Sequence, residues 1–435
     1  MLLSSLVKEI LLMSNVLEIC KNARKASYEL ACTSGPRKEK ALYKIAQKLI
    51  ENQDKIIEAN KIDLENGRNS GLSNALLDRL ALNPQRISDM AKGLEEIAVL
   101  PDPVGEVVKM WKRPNGLEIG QKRVPLGVVS VIYEARPNVT ADVAGLTLKS
   151  GNCAVLKGGK EAIHSNLAII EQIKTALMEE GIPEAAVQLI SDTNRETTLE
   201  LLKMDEYIDL LIPRGGEGLK KLILENSTIP VILATAGNCH VYVDEYADID
   251  MAKDIVINAK TQRPGVCNAV ESLVIHRNIA EKFIPVIVKE LDKFGVEMRV
   301  CDATMDIINR QKMAVNGKVA SASEEDYGTE YHDLILSVRT VATFEEAVSH
   351  INTYGTRHSE AIVTENYERA RCFHEGVDAA AVYVNASTRF TDGFEFGFGA
   401  EIGISNQKLH ARGPIGLEQL TSLKYIIFGD GQIRS

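Results

Sequence analysis

The sequence predicts an α/β protein that contains a doubly wound parallel sheet and a second α/β domain. Short apolar runs recur from residue 126 onward, with helical segments between most of them, which is typical of parallel strands covered by helices on both faces. The chain has 435 residues, of which 45% are hydrophobic and 5% aromatic. This is enough to bury two cores. The runs that predict the first strands are 127–133, 153–156, 187–190, 208–212, 231–233 and 241–243.

Residues 15–100 predict helices that precede the sheet. Pro36 and Pro84 lie where a first helical turn tolerates proline. Asn15 followed by Glu18 has the spacing of a capping box, which predicts a helix start. Residues 1–12 are apolar but too short to span a membrane, and we interpret them as an N-terminal extension or as the result of an ambiguous start codon.

A small β element completes the predicted organisation. Two strand-like runs flank a Pro-Asn-Gly turn signal at residues 114–116, which predicts a hairpin over 107–124. The apolar run 423–428 predicts a lone strand that needs a partner, either this hairpin or another subunit. We therefore expect a homo-oligomer. The predicted parts are a first domain (13–106 and 125–245), a second domain (246–415) and an oligomerisation element (107–124 and 416–435).

Composition and charge argue against several function classes. The net charge of −10 disfavours broad nucleic-acid binding. The eight histidines form no HExxH pattern and the seven cysteines form no CxxC pair, so no metal site is predicted. An odd number of cysteines without close pairs favours reduced thiols in a cytoplasm. We expect neither nucleic acid nor membrane as a partner.

The most informative segment is TQRPGVCNA, residues 261–269. Cys267 follows a Pro-Gly turn between a predicted helix (249–258) and a predicted strand (272–276). A turn can hold a thiolate in a cleft rather than in packed core. A thiolate attacks acyl carbonyls and keeps the acyl group as a thioester. A buried thiol without a chemical role is the alternative, and the loop context disfavours it.

Two glycine-containing turns follow predicted strands. Residues 156–160 (LKGGK) leave a strand at the carboxyl end of the sheet, where α/β proteins bind ligands, and their lysines suggest phosphate contacts. Residues 214–218 (RGGEG) follow another strand and open a helix, so their amides can meet an anion. Solvated surface lysines and an ordinary glycine turn are the alternatives.

Four segments together match a known family. They are VPLGVVSVIYEARPNVTADVAGLTLKSGNCAVLKGG (124–159), TQRPGVCNA (261–269), HINTYGTRHSEAI (350–362) and GFGAEIGIS (397–405). With them the chain resembles the aldehyde dehydrogenase superfamily and, within it, the γ-glutamyl phosphate reductases. The resemblance implies an aldehyde dehydrogenase-like fold, in which the first domain binds NADP and the second is catalytic.

The resemblance also implies a reaction. It is the NADPH-dependent reduction of L-glutamyl 5-phosphate to L-glutamate 5-semialdehyde and phosphate, the second step of proline biosynthesis from glutamate. Cys267 falls on the family nucleophile that holds the acyl group. Functional coupling to glutamate 5-kinase is a further implication.

Three alternatives remain. A CoA-acylating aldehyde dehydrogenase is disfavoured by the block 350–362. A hydrolytic aldehyde dehydrogenase is disfavoured because Ala234 replaces the family glutamate that activates water. A scaffold without activity is disfavoured by the intact Cys267.

The residues implied for NADP(H) lie mainly in the first domain. Lys157 falls on the lysine that touches the adenosine ribose. Lys160 replaces a glutamate frequent in NAD-preferring relatives, and an ammonium attracts a 2′-phosphate, so NADP(H) is expected. Glu330 aligns loosely with a glutamate that holds the nicotinamide ribose, and a plain surface glutamate is its alternative. The remaining expected contacts are Gly158, Arg214, Gly215 and Gly216.

The candidates for binding the substrate are charged side chains. For its anionic groups, Arg136, Arg263, Arg389 and Arg412 are candidates, and surface salt bridges are the alternative for each. For its ammonium group, Asp392 or Glu401 is the candidate. The family asparagine of the oxyanion site aligns near Ala135, so the donors are the Cys267 amide with either Asn138 or Arg136.

Overall fold

The computed structural model describes residues 2–233, 236–313, 315 and 317–434. None of the helices within these ranges is long and apolar enough to cross a membrane. In chain order the helices are α1 (Leu2–Leu30), α2 (Gly35–Glu51), α3 (Gln53–Asn69), α4 (Asn74–Leu80), α5 (Pro84–Val99), α6 (Asn138–Lys149), α7 (Ile163–Glu179), α8 (Arg195–Leu201), α9 (Glu217–Asn226), α10 (Ile249–Thr261), α11 (Arg277–Lys293), α12 (Asp302–Arg310), α13 (Phe344–Tyr354) and α14 (Tyr367–Gly376).

The strands confirm most of the predicted ones within one or two residues. They are β1 (Val107–Lys112), β2 (Glu118–Pro125), β3 (Val128–Tyr133), β4 (Cys153–Gly158), β5 (Val187–Leu189), β6 (Leu210–Arg214), β7 (Cys239–Val243), β8 (Val270–His276), β9 (Glu297–Val300), β10 (Val319–Ser321), β11 (Ile335–Val341), β12 (Ser359–Val363), β13 (Ala381–Val384), β14 (Ile404–Ser405), β15 (Gly413–Pro414) and β16 (Thr421–Phe428). The run 231–233 forms only an isolated parallel bridge between Val231 and Leu211.

The first compact unit comprises Met1–Leu233, Gly397–Gly403 and Ile415–Ser435. Its parallel sheet has the order β5-β4-β3-β6. Every residue of β3 and β4 is buried, which explains why both read as continuous apolar runs. From β3 the chain continues to β4 and β5 on one side, and it later returns to place β6 on the other side of β3. The strand order therefore changes direction between β3 and β6. Doubly wound sheets bind ligands in the crevice at such a switch.

The helices of the first unit correct one prediction. α1 runs without a break from Leu2 to Leu30, so Asn15 lies in its interior and does not start a helix. The segment before Asn15 contains neither proline nor glycine, and nothing in it stops the helix. Pro36 and Pro84 do lie in the first turns of α2 and α5, as predicted.

The terminal strand finds its partner within the chain. β1 and β2 form the predicted antiparallel hairpin, with Gly116 in the left-handed region at φ 91°. β16 pairs with β2 along its whole length, from Thr421 opposite Pro125 to Phe428 opposite Glu118. Tyr425 and Ile427 on β16 remain exposed. Self-association through this element remains a prediction.

The second compact unit comprises Ala234–Phe396 and Ile404–Pro414. Its parallel sheet has the order β10-β9-β11-β8-β7-β12-β13. The core on one face packs β7, β8 and β11 against α10, α11 and α12. β7 therefore belongs to this sheet, although the boundary at residue 245 placed it in the first domain. An apolar run predicts a strand but carries no signal of which sheet it joins.

Candidate active site

Cys267 lies on a turn between α10 and β8, where the sequence placed it. Asp248 caps α10 by accepting the Met251 N–H (2.7 Å), and α10 and β8 lead into and out of the turn. The Ala269 N–H donates to the Val266 carbonyl (3.1 Å) and closes the turn. Cys267 is half-buried, and all seven cysteines of the chain are free thiols. Among the described residues, no cluster of histidine, cysteine or acidic side chains could hold a metal ion.

The residue after Cys267 anchors this turn. The buried Asn268 side chain donates to the Thr391 carbonyl (2.8 Å), and its backbone carbonyl accepts the Thr388 hydroxyl (2.7 Å). Both partners belong to the short segment 388–391. Because buried hydrogen bonds are costly to break, they fix the orientation of the peptide that follows Cys267.

Two of the predicted substrate arginines lie near Cys267. Arg389 donates to the Asn268 amide oxygen and to Gln262 (2.8 Å). Burial lowers the pKa of Arg389, the positive charge of Arg263 lowers it further, and the nearby Asp392 and Cys267 act in the opposite direction. Arg263, Arg389 and Asp392 are therefore close enough to interact electrostatically near Cys267. Two guanidinium groups there favour an anionic group of a ligand.

Glu330 supports the same turn through Gly237. The Gly237 N–H donates to one Glu330 carboxylate oxygen (2.7 Å), and His332 Nε2 lies 3.2 Å from the other. A Cβ at Gly237 would lie 1.7 Å from the Cys267 carbonyl oxygen, so only glycine fits. The Glu330 side chain is 11% exposed, which rules out a plain surface glutamate. The hydrogen bond between His332 and Glu330 is the main cause of the raised pKa of His332.

A buried ion pair joins the two ends of the Cys267 loop. Lys260 at the end of α10 donates to Glu271 at the start of β8 over 2.5 Å, and neither side chain is exposed. The other Glu271 oxygen accepts the His332 N–H (3.2 Å). Burial raises the pKa of Glu271 to about 7, and the charge of Lys260 opposes this shift. Burial likewise lowers the pKa of Lys260.

The predicted oxyanion candidates of the first unit lie around the start of α6. Asn138 is its first residue, and its exposed side chain donates to Asp142 (2.9 Å). The half-buried Arg136 precedes it, and its carbonyl accepts the Val139 N–H (3.1 Å). Ala135 has a φ of 40°, an uncommon value for a residue with a side chain, so the backbone here is strained.

The lysines expected to bind the cofactor differ in their surroundings. Lys157 is buried at 3% exposure, its ammonium donates to the Asp192 carbonyl (2.7 Å), and burial lowers its pKa. Lys160 is exposed at the start of a short 3₁₀ turn. A Cβ at Gly158 would lie 2.2 Å from the Asn166 side-chain nitrogen, so this glycine allows close packing on α7. Lys160 is therefore the more accessible of the two lysines.

A carboxylate of the chain itself already binds the glycine turn after β6. The Glu134 carboxylate accepts the Gly216 N–H (2.9 Å), and Gly216 is the N-cap of α9. A Cβ at Gly215 would lie 2.6 Å from the same carboxylate. Arg214 precedes the turn as the last residue of β6. A phosphate at these amides would therefore have to displace Glu134, a feature that the spacing of the glycines does not reveal.

Comparison with known proteins identifies the family. The family model described as "Aldehyde dehydrogenase family" matches residues 13–333. The γ-glutamyl phosphate reductase of Caldicellulosiruptor bescii is 56% identical over 422 residues, which cover 97% of this chain and 100% of that protein. The chain belongs to the γ-glutamyl phosphate reductases of the aldehyde dehydrogenase family.

Two further comparisons agree. The γ-glutamyl phosphate reductase of Heliobacterium modesticaldum is 57% identical, over 95% of this chain and 97% of that protein. The crystal structure of the γ-glutamyl phosphate reductase of Thermotoga maritima has a TM-score of 0.93 and 50% identity, covering 97% of this chain and 100% of that one. The aldehyde dehydrogenase-like fold expected from the sequence is thereby confirmed.

Several residues of this reductase-family site were not predicted. Cys239 donates to the Cys267 carbonyl, His358 contacts Cys239, and Thr391 accepts the Asn268 side chain. Lys260 and Glu271 join the two ends of the loop. Cys239 had no supporting context in the sequence. His358 lay within the block 350–362 used for the resemblance, which was the available signal. Ala234, expected to replace the hydrolytic glutamate, lies outside the described residues.

Proposed function

We propose that this chain reduces L-glutamyl 5-phosphate to L-glutamate 5-semialdehyde and phosphate with NADPH, through a thioester on Cys267. This is the second step of proline biosynthesis from glutamate. The observation that carries the proposal is the half-buried Cys267 on a turn whose next residue, Asn268, is hydrogen-bonded to Arg389 and to Thr391. The relatives that match nearly the whole chain are named γ-glutamyl phosphate reductases, which supports the same reaction.

The chain's own groups account for the first half of the reaction. The Cys267 thiolate attacks the γ-carbonyl carbon, the C–O bond to phosphate breaks, and phosphate leaves with the electron pair. Arg263 and Arg389 offer positive charge to the anionic leaving group. The Cys267 amide, with Asn138 or Arg136, is proposed to hold the oxyanion.

The second half needs NADPH, which supplies hydride to the thioester carbon when it is bound. The resulting thiohemiacetal expels the Cys267 thiolate and gives the aldehyde. The exposed Lys160 at the carboxyl end of β4 fits the 2′-phosphate of this cofactor. Lys157 and Gly158 are proposed to line the adenosine ribose, and Glu330 the nicotinamide ribose. The turn of Arg214, Gly215 and Gly216 fits a phosphate only after Glu134 has moved.

The acyl acceptor in the reverse direction distinguishes this function from its alternatives. Water attack on a thioester needs a positioned base, which contributes about a hundredfold or more. At the family position of that base the sequence has Ala234. Phosphate is already anionic at neutral pH and needs no such base, so the proposed enzyme is phosphorylating.

The test is NADP reduction by the purified protein with glutamate 5-semialdehyde. We expect sustained turnover only when inorganic phosphate is present. Sustained turnover in water that yields free glutamate would assign a hydrolytic aldehyde dehydrogenase, and turnover with CoA instead of phosphate would assign an acylating one. No turnover under any of these conditions would contradict the proposal.

Two partner proposals accompany this function. A homo-oligomer through β16 and the hairpin is proposed because Tyr425 and Ile427 leave an exposed apolar strand. Light scattering that shows a monomer across micromolar concentrations would contradict it.

Functional coupling to glutamate 5-kinase is proposed because an acyl phosphate is reactive and benefits from direct transfer. A cytoplasmic location also remains a proposal.

A further inference from the structure

A buried thiol binds the backbone of the nucleophile. Cys239, the first residue of β7, donates its S–H to the Cys267 carbonyl oxygen, with 3.2 Å between sulfur and oxygen. Cys239 has no exposed surface. Burial raises the pKa of its thiol well above the usual value, and the negative charges of Glu360 and Cys267 add to this shift. The thiol therefore remains protonated and keeps its capacity to donate.

The contacts of Cys239 continue to the other side of the same peptide. His358 Nδ1 lies 3.7 Å from the Cys239 sulfur and 2.8 Å from the Ser359 hydroxyl. The Ser359 hydroxyl is hydrogen-bonded to the Thr391 hydroxyl over 2.6 Å. The Thr391 carbonyl then accepts the Asn268 side chain (2.8 Å). The chain of contacts thus starts at the Cys267 carbonyl and returns to Asn268, which makes it a closed ring.

This Cys239 ring, which we define as Cys239, His358, Ser359, Thr391 and Asn268, lies entirely inside the second unit. Each member is at most 4% exposed. In such surroundings a hydrogen bond is stronger than in water, and a polar group that loses its partner is costly. The ring therefore favours one orientation of the peptide between Cys267 and Asn268.

We propose that Cys239 and His358 are positioning residues for the nucleophile, which hold the Cys267–Asn268 peptide through the Cys239 ring. The inference rests on the proposed role of Cys267. Neither residue needs to touch the substrate. Cys239 acts on the carbonyl of Cys267, and His358 fixes the Cys239 thiol relative to Ser359.

The ring explains why two neighbouring thiols, one on the loop and one on β7, have different roles. Cys267 is half-buried and open to reaction, whereas Cys239 is buried and holds its neighbour. A displacement of about 1 Å in a reacting group can reduce the rate by about a hundredfold. A donor that fixes the peptide next to the nucleophile therefore affects kcat more than substrate binding.

The first experiment compares Cys239→Ala with Cys239→Ser. Alanine removes the donor, whereas serine keeps a hydroxyl that can donate to the same carbonyl. We expect alanine to lower kcat about tenfold or more with KM changed by less than about twofold, and serine to retain most of the activity. Cys153→Ala, another buried thiol, is the matched control and should retain wild-type kcat. Equal losses in Cys239→Ala and Cys239→Ser would overturn the inference.

The second experiment does not depend on the reaction. Iodoacetamide alkylation of Cys267 is measured by peptide mass spectrometry without substrate or cofactor, and the exposed Cys32 and Cys372 provide internal reference rates. We expect Cys239→Ala and Thr391→Val to change the Cys267 rate by about threefold or more, since the loop loses its fixed orientation, and Thr391→Ser to leave it near the wild-type value.

Together, the two experiments distinguish a failure of the Cys239 ring from a failure of the proposed function. If the wild type has no turnover but the alkylation rates change as expected, the ring stands and the proposed function fails. An unchanged Cys267 alkylation rate in both Cys239→Ala and Thr391→Val would overturn the ring, whatever the turnover. Thermal unfolding checks that each variant is folded.

Discussion

The loop around Cys267 and the carboxyl edge of the first sheet are built in opposite ways. Around Cys267, buried partners hold the backbone, among them Cys239, Gly237 and the Lys260–Glu271 pair. At the edge of the first sheet, Lys160 is exposed and Glu134 occupies the turn at Gly216. The backbone at Cys267 is thus held by buried groups of the chain itself, whereas a phosphate at the Gly216 turn would first have to displace Glu134.

This difference predicts where substitutions act. Changes around Cys267 should reduce kcat or the stability of the second unit. Changes at the edge of the first sheet should alter cofactor affinity and preference while the fold remains intact.

Cys267→Ala removes the reacting atom itself. We expect reduction to fall by more than about a thousandfold, because the acyl group then has no nucleophile. NADP(H) binding and the unfolding temperature should remain near the wild-type values. Steady-state turnover and a cofactor titration measure both properties. Retained turnover in the purified variant would contradict the thioester mechanism.

Lys260→Met breaks the buried ion pair. Removing one partner leaves an unpaired buried charge, which costs about 3–5 kcal/mol of unfolding free energy. The pKa of Glu271 in the folded state, about 7, is above its usual value, so folding favours the protonated carboxyl and stability falls as pH rises through that value. Without Lys260 this pKa rises further, so the loss should be larger at pH 8 than at pH 5.5.

Denaturant unfolding at the two pH values measures this effect. Lys253→Met on the same helix is the control, because its ion pairs with Asp250 and Asp254 lie at the surface and contribute little. The double variant Lys260→Met/Glu271→Gln should recover most of the stability, since neither charge is then left unpaired. A loss that does not depend on pH would show that Glu271 is not the group involved.

Gly237→Ala tests the closest backbone approach. The new Cβ would lie 1.7 Å from the Cys267 carbonyl oxygen, so the loop must move. We expect kcat to fall about a hundredfold, as for other displacements of a reacting group. Gly218→Ala in α9 has no neighbour within 4 Å and is the control. Unchanged kcat in Gly237→Ala would show that the loop tolerates the displacement.

Lys160→Glu tests the carboxyl edge of the first sheet. A charge-assisted contact with the 2′-phosphate contributes about 1.5–3 kcal/mol, so the preference for NADP(H) over NAD(H) should fall more than about tenfold. Lys203→Glu, another exposed lysine of the same unit, should leave the preference unchanged. Equal kcat/KM with both cofactors in the wild type would remove the argument for Lys160.

The two regions also differ in how far the sequence predicts them. The turn of Cys267 was predictable because Pro264 and Gly265 interrupt a helix before an apolar strand. The contact between Cys239 and His358 was not predictable, because it joins residues 119 positions apart and depends on β7 lying next to β12. A register shift between Cys239 and His240 also breaks the alternation of faces that a strand pattern assumes.

In the first sheet, too, the strands were predicted but the contacts between distant turns were not. Its strands were predicted closely because β3 and β4 are buried on both faces and read as apolar runs. The carboxylate of Glu134 at the Gly216 amide was missed, because the residues that meet at the carboxyl end of neighbouring strands are far apart in sequence. Local spacing therefore predicts the elements and the turns, whereas the contacts between turns require the fold.

The most direct test of the thioester on Cys267 is a single-turnover measurement without phosphate. The protein is mixed with glutamate 5-semialdehyde and NADP, and NADPH is followed while the Cys267 peptide is examined by mass spectrometry. We expect a burst of one NADPH per active site, a γ-glutamyl adduct on Cys267 and little further reaction until phosphate is added. Continuous NADPH formation without phosphate, or a burst without an adduct on Cys267, would contradict the account.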